Sequence, residues 1–263
     1  MRRYREFEAT LYSKESEPKL ITAQVAMEIP FTIFLDGEEM VTLMATPEYL
    51  AELATGFLVY EGILSDYDDL VALELERDKY VARVTTARPW SVAHRLYGRR
   101  NIPSGCGGTS SGFYRAADLL KTRPVECKTT FEPEEVHRLS AYLNDASDLY
   151  RTTRGVHHAS LYHREREIIR REDIGRHNAV DKIAGHCLIN HISTNETMLL
   201  VSGRTSSDIV LKCARIGVPV LVARAAATDL AIELADKLGI TLINQAKAGK
   251  FQVMTHCERI KQE

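Results

Sequence analysis

Met198-Leu199-Leu200-Val201-Ser202-Gly203-Arg204-Thr205-Ser206-Ser207-Asp208 runs an apolar strand into a glycine turn and then into a helix. That helix reads from Ser206 to Ile216 and stops at Gly217, after which Val218 to Ala225 forms a second apolar strand. Glycine is favoured just past a helix end because that position is commonly left-handed. Continuous apolar strands joined by capped helices predict a sheet covered by helices on its faces. The alternation extends outward in both directions. Upstream lie a helix at Pro133 to Ala146, with Val136, Leu139 and Leu143 on one face, and strands at Val156 to Tyr162 and Glu167 to Arg171. A helix at His177 to His191 follows, turning Val180, Ile183, Ala184 and Cys187 inward. Downstream, Thr228 caps a helix that runs to Leu238 and ends at Gly239, before final strands at Ile240 to Asn244 and Phe251 to Met254.

The chain before this region reads differently. From Glu6 to Thr86 it is mainly strands with one helix. Val25 to Leu35 and Met40 to Ala45 flank Asp36-Gly37, a strong hairpin signal. Thr46-Pro47 is expected to open a helix with Thr46 as N-cap, Leu50, Leu53, Ala54, Phe57 and Leu58 as its apolar stripe, and Gly62 as its end. Val71 to Glu76 and Tyr80 to Thr85 read as another strand pair. Arg99 to Gly112 has no periodicity and four glycines, and reads as a loop between domains. The expected organisation is a small mixed α+β domain over residues 1–110 and an α/β domain over residues 111–263, which makes the chain α+β overall.

Composition narrows the partners. Among 263 residues, 44% are hydrophobic and 27% charged, which excludes a disordered chain. The balance of 34 Lys and Arg against 36 Asp and Glu gives −2, so no global basic field draws in nucleic acid or an acidic membrane. No stretch reaches the roughly 18 apolar residues of a spanning helix. Met1 to Glu8 is basic with no apolar core behind it, unlike a secretory signal. The five cysteines, odd in number and widely spaced, match neither a disulfide framework nor a zinc pattern. A reducing, cytoplasmic setting is the expectation.

Several segments carry candidate chemistry. In Ser104-Gly105-Cys106-Gly107-Gly108-Thr109-Ser110, a thiol on a glycine-rich loop is accessible, and Arg99 and Arg100 upstream favour its nucleophilic thiolate. A small residue chosen for a tight turn is the plainer reading. Ser202, Gly203, Arg204, Thr205 and Ser206 lie between strand and helix, where free backbone N–H groups and the helix dipole bind anions and Arg204 adds charge. Plain N-capping by Thr205 or Ser206 is the alternative. Arg171 to Lys182 crowds polar groups at a second junction: Asp173 and Asp181 suit a nucleobase or ribose, Arg176 and Lys182 a phosphate. A solvated turn with pairing between Asn178 and Lys182 explains the same residues. His157 and His158 alternate to opposite faces of their strand, so they do not share a metal. Lys247 and Lys250 flank Gly249 in what reads alone as an ordinary turn.

Together these segments resemble the FdhD family of formate dehydrogenase accessory proteins, which are sulfur carriers. Gly155-Val156-His157 is similar to that family's Gly-Gly-Val-His strand. The eleven residues Glu172 to Lys182 resemble its longest signature almost letter for letter, and Ser202 to Ser207 with Ile209 to Lys212 resemble another. The resemblance covers most of the chain beyond about Val25. It implies a cytidine-deaminase-like second domain, a homodimer, and transfer of persulfide sulfur from a cysteine desulfurase to the molybdenum or tungsten bis(molybdopterin guanine dinucleotide) cofactor of a formate dehydrogenase apoenzyme. Cys106 would carry the sulfur. The guanine dinucleotide would meet His157, Asp173, Arg176, His177, Asn178, Asp181, Lys182, the Ser202 to Ser206 turn, and Gln245, Ala246, Lys247, Ala248, Gly249 and Lys250. That last stretch aligns with Phe-Ala-Arg-Gly-x-Arg, with lysines where arginines are usual, which keeps charge but loses bidentate geometry.

One departure bears on mechanism. The family's loop resembles Cys-Gly-x-Cys-Gly, whereas here Thr109 stands in the second cysteine's place. A persulfide needs one thiol, so a single-cysteine relay through Cys106 remains open. So does a non-catalytic chaperone that binds the cofactor and has lost sulfur transfer. A zinc deaminase would need Pro-Cys-x-x-Cys, which does not occur.

Overall fold

The structure is a computed structural model that describes residues 2–88, 122–145, 147–247 and 249–261. Cys106 with its loop, the expected domain boundary at residue 110, and Ala248 lie outside the described residues. Asp36-Gly37 does make a hairpin, between β3 (Ile29–Leu35) and β4 (Glu38–Ala45). Both turn residues have positive φ, 48° and 89°, as a two-residue turn that matches strand twist requires. The Asp36 carboxylate accepts from the Thr86 backbone at 2.9 Å and its hydroxyl at 2.8 Å, tying the turn to β6 (Val81–Thr86). With β5 (Leu70–Glu76) the sheet order is β4-β3-β6-β5, and β3 and β6 run parallel. The helix α1 (Leu50–Tyr60) covers one face, burying Leu50, Leu53, Ala54, Phe57 and Leu58 against Phe31, Ile33 and Leu43.

The start of this region departs from expectation. The helix begins at Leu50 rather than at Thr46, and its N-cap is Tyr49 at φ 56°. Thr46 is buried and bonded across the molecule, as described below. The expected strand from Val25 is two strands: β2 (Ser16–Ala26) ends before β3 begins. Paired with β1 (Tyr4–Ser13), β2 forms a separate two-stranded ribbon.

The second part is built as the alternation predicts. Its elements are α2 (Pro133–Asp145), a short α3 (Asp148–Thr153) that periodicity does not signal, β7 (His157–His163), β8 (Arg166–Asp173), α4 (Arg176–Ile189), β9 (Thr197–Val201), α5 (Ser207–Arg215), β10 (Val220–Ala223), α6 (Asp229–Lys237), β11 (Thr241–Lys247) and β12 (Lys250–Val253). The sheet order is β12-β11-β10-β9-β7-β8. The strands β9, β10 and β11 are parallel; β7, β8 and β12 are antiparallel to their neighbours. Strand alternation splits the core in two. Leu199, Val201, Leu221 and Leu242 pack with Val180 and Ile183 of α4, Val210 of α5 and Leu234 of α6. Met198, Leu200, Val222 and Ile243 face the other way, toward Val136 and Leu139 of α2. None of the described helices is long and apolar enough to cross a membrane.

The α1 and α4 helices join the two cores by crossing at glycines. A Cβ on Gly56 would lie 1.8 Å from the Asp181 carbonyl oxygen, and one on Gly185 would lie 1.9 Å from that of Glu52. No side chain fits at either point, so the backbones touch directly.

Candidate functional site

Because β9, β10 and β11 are parallel, their carboxyl ends reach the same sheet edge. The antiparallel β7 starts there with His157, and β8 ends there with Asp173. Ligands of open α/β sheets bind at such an edge because the helices that follow the strands point their N-termini at it. Topology thus gathers His157, Asp173 to His177, Ser202 to Ser206 and Gln245 to Lys247, segments far apart in sequence.

The Ser202 to Ser206 turn is held from both sides. The backbone N–H of Ser202 donates to the His158 carbonyl at 3.1 Å, and the N–H of His158 donates to Ser202 Oγ at 3.0 Å. Thr205 pairs with the next loop, donating to Ala226 at 3.2 Å and accepting from Thr228 at 3.0 Å. Gly203 lies against Arg176 and His157; a Cβ there would sit 3.3 Å from Arg176 Cδ and 3.4 Å from His157 Nδ1. Ser206 is the N-cap of α5, yet its side chain makes no capping bond. Its Oγ is buried without a partner, as are Thr205 Oγ1, Arg176 Nε and His177 Nε2. Plain N-capping therefore does not account for this turn. Buried polar groups are normally satisfied by protein, water or ligand, so these orphans, gathered at the adjoining N-termini of α4 and α5, make a place suited to a polar ligand.

The electrostatics favour an anion. Burial, then the Arg176 charge, holds His157 below the usual histidine range. Burial, then Lys212 and Arg176, takes His177 down to about 3. Both rings are neutral at pH 7, while Arg176 keeps its charge and Arg204 is exposed at the turn. On the opposite face of the sheet, burial and then Arg170 lower His158 to about 4.

These histidines make stability depend on pH. In the unfolded chain they protonate near pH 6.5, and in the folded protein only far below it. Their contribution to stability is therefore full above pH 6.5 and falls as pH drops below that value. The expected slope approaches about 1.4 kcal/mol per pH unit for each histidine. Urea unfolding at pH 7 and pH 5 measures it, and His177→Gln should make the loss clearly shallower. An equal loss in the variant would count against burial of His177 as the cause.

Asp173, Asn178, Asp181 and Lys182 lie beneath this surface rather than on it. Asp173 and Lys182 have 0% exposure. One Asp173 oxygen accepts from Lys182 Nζ at 2.6 Å and from the backbone and hydroxyl of Thr46, each at 3.1 Å. The other accepts from Gly175 N–H and Asn178 Nδ2, both at 2.9 Å. Asn178 also donates to the Met44 carbonyl at 2.8 Å. The alternative of a solvated turn paired between Asn178 and Lys182 gives way to this shared carboxylate, which sets the turn into α4 and so the place of Arg176. Asp181 points elsewhere. It pairs with Lys212, whose ammonium lies 3.7 Å over the Tyr60 ring, and burial raises its carboxyl. Thr46 and Lys212 were not legible as members of this layer, since their partners are 127 and 31 residues away.

The last predicted segment lies at the β11–β12 hairpin. Gln245 is left-handed at φ 48° and donates its N–H to Ala225 at 3.2 Å. Ala246 is buried, Lys247 and Lys250 are exposed partners at the tip, and Gly249 turns at φ 85°. Asn244, beside them, keeps a buried and unpartnered Oδ1.

The chain matches the family model described as FdhD/NarQ family over residues 26–261. It is 35% identical over 249 residues to the sulfur carrier protein FdhD of Bacillus subtilis (strain 168), covering 95% of each chain. It is 37% identical over 238 residues to the sulfur carrier protein FdhD of Halalkalibacterium halodurans, covering 90% of this chain and 88% of that one. A crystal structure described as a formate dehydrogenase accessory protein from Desulfotalea psychrophila superposes with a TM-score of 0.80, covering 98% of this chain and 99% of that one. At 24% identity, that likeness speaks for the fold.

Proposed function

Because this chain belongs to the FdhD/NarQ family, we propose that it is a sulfur carrier required for formate dehydrogenase activity. In this reading Cys106 attacks the terminal sulfur of a cysteine desulfurase persulfide. A Cys106 persulfide forms and the desulfurase thiolate leaves, with no net oxidation. The receiving cargo is the molybdenum or tungsten bis(molybdopterin guanine dinucleotide) cofactor, on its way to the formate dehydrogenase apoenzyme in the cytoplasm. Thr109 removes the second thiol of the loop, so release draws on a thiol in trans. That thiol attacks the Cys106 sulfur, a mixed disulfide forms, and the terminal sulfur leaves as hydrosulfide.

The observation that supports cargo binding is the set of unpartnered polar atoms on Arg176, His177, Thr205 and Ser206 around an uncapped helix N-terminus. A phosphate there would accept from the α5 backbone, Ser206, Thr205, Arg176 and Arg204. His157 and the Gln245 to Lys250 hairpin would flank the rest of the guanine dinucleotide. Asp173, Asn178, Asp181 and Lys182 would act through the Arg176 junction rather than by touching cargo. The protein would work as a homodimer.

Thr109 favours a second reading, a chaperone that binds the cofactor without carrying sulfur. Intact-protein mass after incubation with a cysteine desulfurase and cysteine separates the two. A gain of one sulfur, lost in Cys106→Ser, is the expected result; no gain, with GDP still bound, leaves the chaperone. For the binding site itself, Arg204→Ala should weaken GDP by about 1.5–3 kcal/mol in calorimetry, the range for a hydrogen bond to a charged group.

A further inference from the structure

We propose that His158 and Glu172 form a ring-reading pair for the 2-amino-4-oxopyrimidine edge, the hydrogen-bonding edge that guanine and pterin share. This rests on the guanine dinucleotide reading above and deepens it, by assigning a ring-selective contact to the face of the sheet away from the phosphate turn. Along β7, His158, Ser160 and Tyr162 alternate with His157, Ala159 and Leu161 and turn toward the α2 side. Across on β8 they are paired with Glu172, Arg170 and Glu167 in turn. Two of these three cross-strand pairs are bonded. Tyr162 donates to Glu167 at 2.5 Å, and Arg170 Nε donates to Ser160 Oγ at 3.1 Å. The third pair, at the sheet edge, is not.

His158 is 5% exposed, and neither of its ring nitrogens has a partner. Glu172 Oε1, directly across the strand pair, is buried without a partner as well. Burial keeps the imidazole neutral at pH 7, which leaves it one N–H to donate and one lone pair. Arg3 lies 3.6 Å from the other Glu172 oxygen, is shared with Glu48 at 3.9 Å, and is 37% exposed, so it can swing out into solvent. A neutral donor beside a carboxylate matches a ring edge that offers a carbonyl oxygen next to two N–H groups. Guanine and pterin both present that order. Their ring N–H and amino group would donate to Glu172, and His158 would donate to their carbonyl oxygen. Adenine sets a bare ring nitrogen against the carboxylate, which repels it.

The pair adjoins the phosphate turn. Ser202 Oγ accepts from the His158 N–H at 3.0 Å, and Gly203, the next residue, rests against His157 on the other face. A dinucleotide held at its phosphates by Ser206 and Arg176 would pass one ring over this edge to His158 and Glu172, and leave the Gln245 to Lys250 hairpin for its other end. The fold does not consume these two side chains. Lys182 is met by the Glu172 backbone carbonyl at 3.0 Å, which spares the Glu172 carboxylate. A buried imidazole that makes no bond costs stability rather than adding it.

Calorimetry on the full chain with GDP, ADP, 6-hydroxymethylpterin and pyrophosphate tests this. His158→Phe removes two unsatisfied nitrogens, so its urea midpoint at pH 7 should be no lower than that of wild type. If the pair reads guanine, wild type should bind GDP at least about tenfold more tightly than ADP, and His158→Phe and Glu172→Gln should each weaken GDP about tenfold. If it reads pterin, the same variants should weaken 6-hydroxymethylpterin about tenfold instead. Pyrophosphate, which has no ring, should bind both variants as it binds wild type and should be weakened by Arg204→Ala. Ring ligands that bind both variants as they bind wild type, or that do not bind wild type, overturn the proposal and leave the pair to a buried water. A wild type that binds a ring ligand through Glu172 but does not bind pyrophosphate overturns the phosphate turn alone, so the two readings fail separately.

Discussion

Gly56→Ala should destabilise the protein by about 3 kcal/mol or more, although alanine is the better helix former. On helix propensity alone the change at an interior position gains about 1 kcal/mol. The crossing of α1 over α4 reverses the sign, because the added methyl would lie 1.8 Å from the Asp181 carbonyl and 2.9 Å from the Gly185 nitrogen. Backbone atoms cannot rotate out of the way as a flexible side chain does, so the helices must separate. Separation opens gaps between both cores, since α1 belongs to one and α4 to the other. Overpacking of this kind costs roughly 1–3 kcal/mol where neighbours yield and more where they do not. Gly185→Ala should behave alike, against Glu52. The double variant should cost less than the two single losses combined, because one methyl has already parted the helices. Chemical denaturation of the three variants measures this, and a stabilised Gly56→Ala would refute the close crossing.

Asp173→Ala should cost about 3–5 kcal/mol, because it leaves the Lys182 ammonium buried without its counter-charge. Thr46, Gly175 and Asn178 lose their acceptor at the same time. Lys182→Met should be milder. The Asp173 carboxylate would still accept from Thr46 twice, from Gly175 and from Asn178, which is enough to keep a buried charge solvated. Asp173→Leu combined with Lys182→Met should be more stable than Asp173→Ala alone, since no unpaired charge remains. On the cargo-binding reading proposed above, GDP binding supplies a second readout. The carboxylate sets the turn before Arg176, so Asp173→Asn should weaken GDP even under conditions where the variant is fully folded. Binding equal to wild type in folded Asp173→Asn would show that the junction does not position Arg176.

Much of the architecture was legible because its determinants are local. Continuous apolar runs and helical stripes closed by Gly62, Gly217 and Gly239 depend only on neighbours, and each of those glycines has the positive φ that ends a helix. Asp36-Gly37 announces its hairpin for the same reason. The Ser202 to Ser206 turn was legible as strand-to-helix chemistry, but not that the Thr205 and Ser206 hydroxyls stay unpartnered. Thr46 misled because Thr-Pro before an apolar stripe is a helix-start signal, whereas an aspartate 127 residues away claims its hydroxyl.

By itself, the sequence determined the order of strands and helices apart from the β1–β2 ribbon and α3, together with the glycine turns, the family signatures, and the candidacy of Cys106, Arg176 and Arg204. Only the tertiary structure decided which of the polar residues at residues 172–182 reach the surface. It divided them into Arg176 and His177 at the edge and Asp173, Asn178, Asp181 and Lys182 below it. It also decided that α1 and α4 meet backbone to backbone at Gly56 and Gly185. The physical reason is range: backbone conformation and side-chain periodicity are set within a few residues, while burial and charge pairing depend on groups brought together from 9 to 136 residues apart.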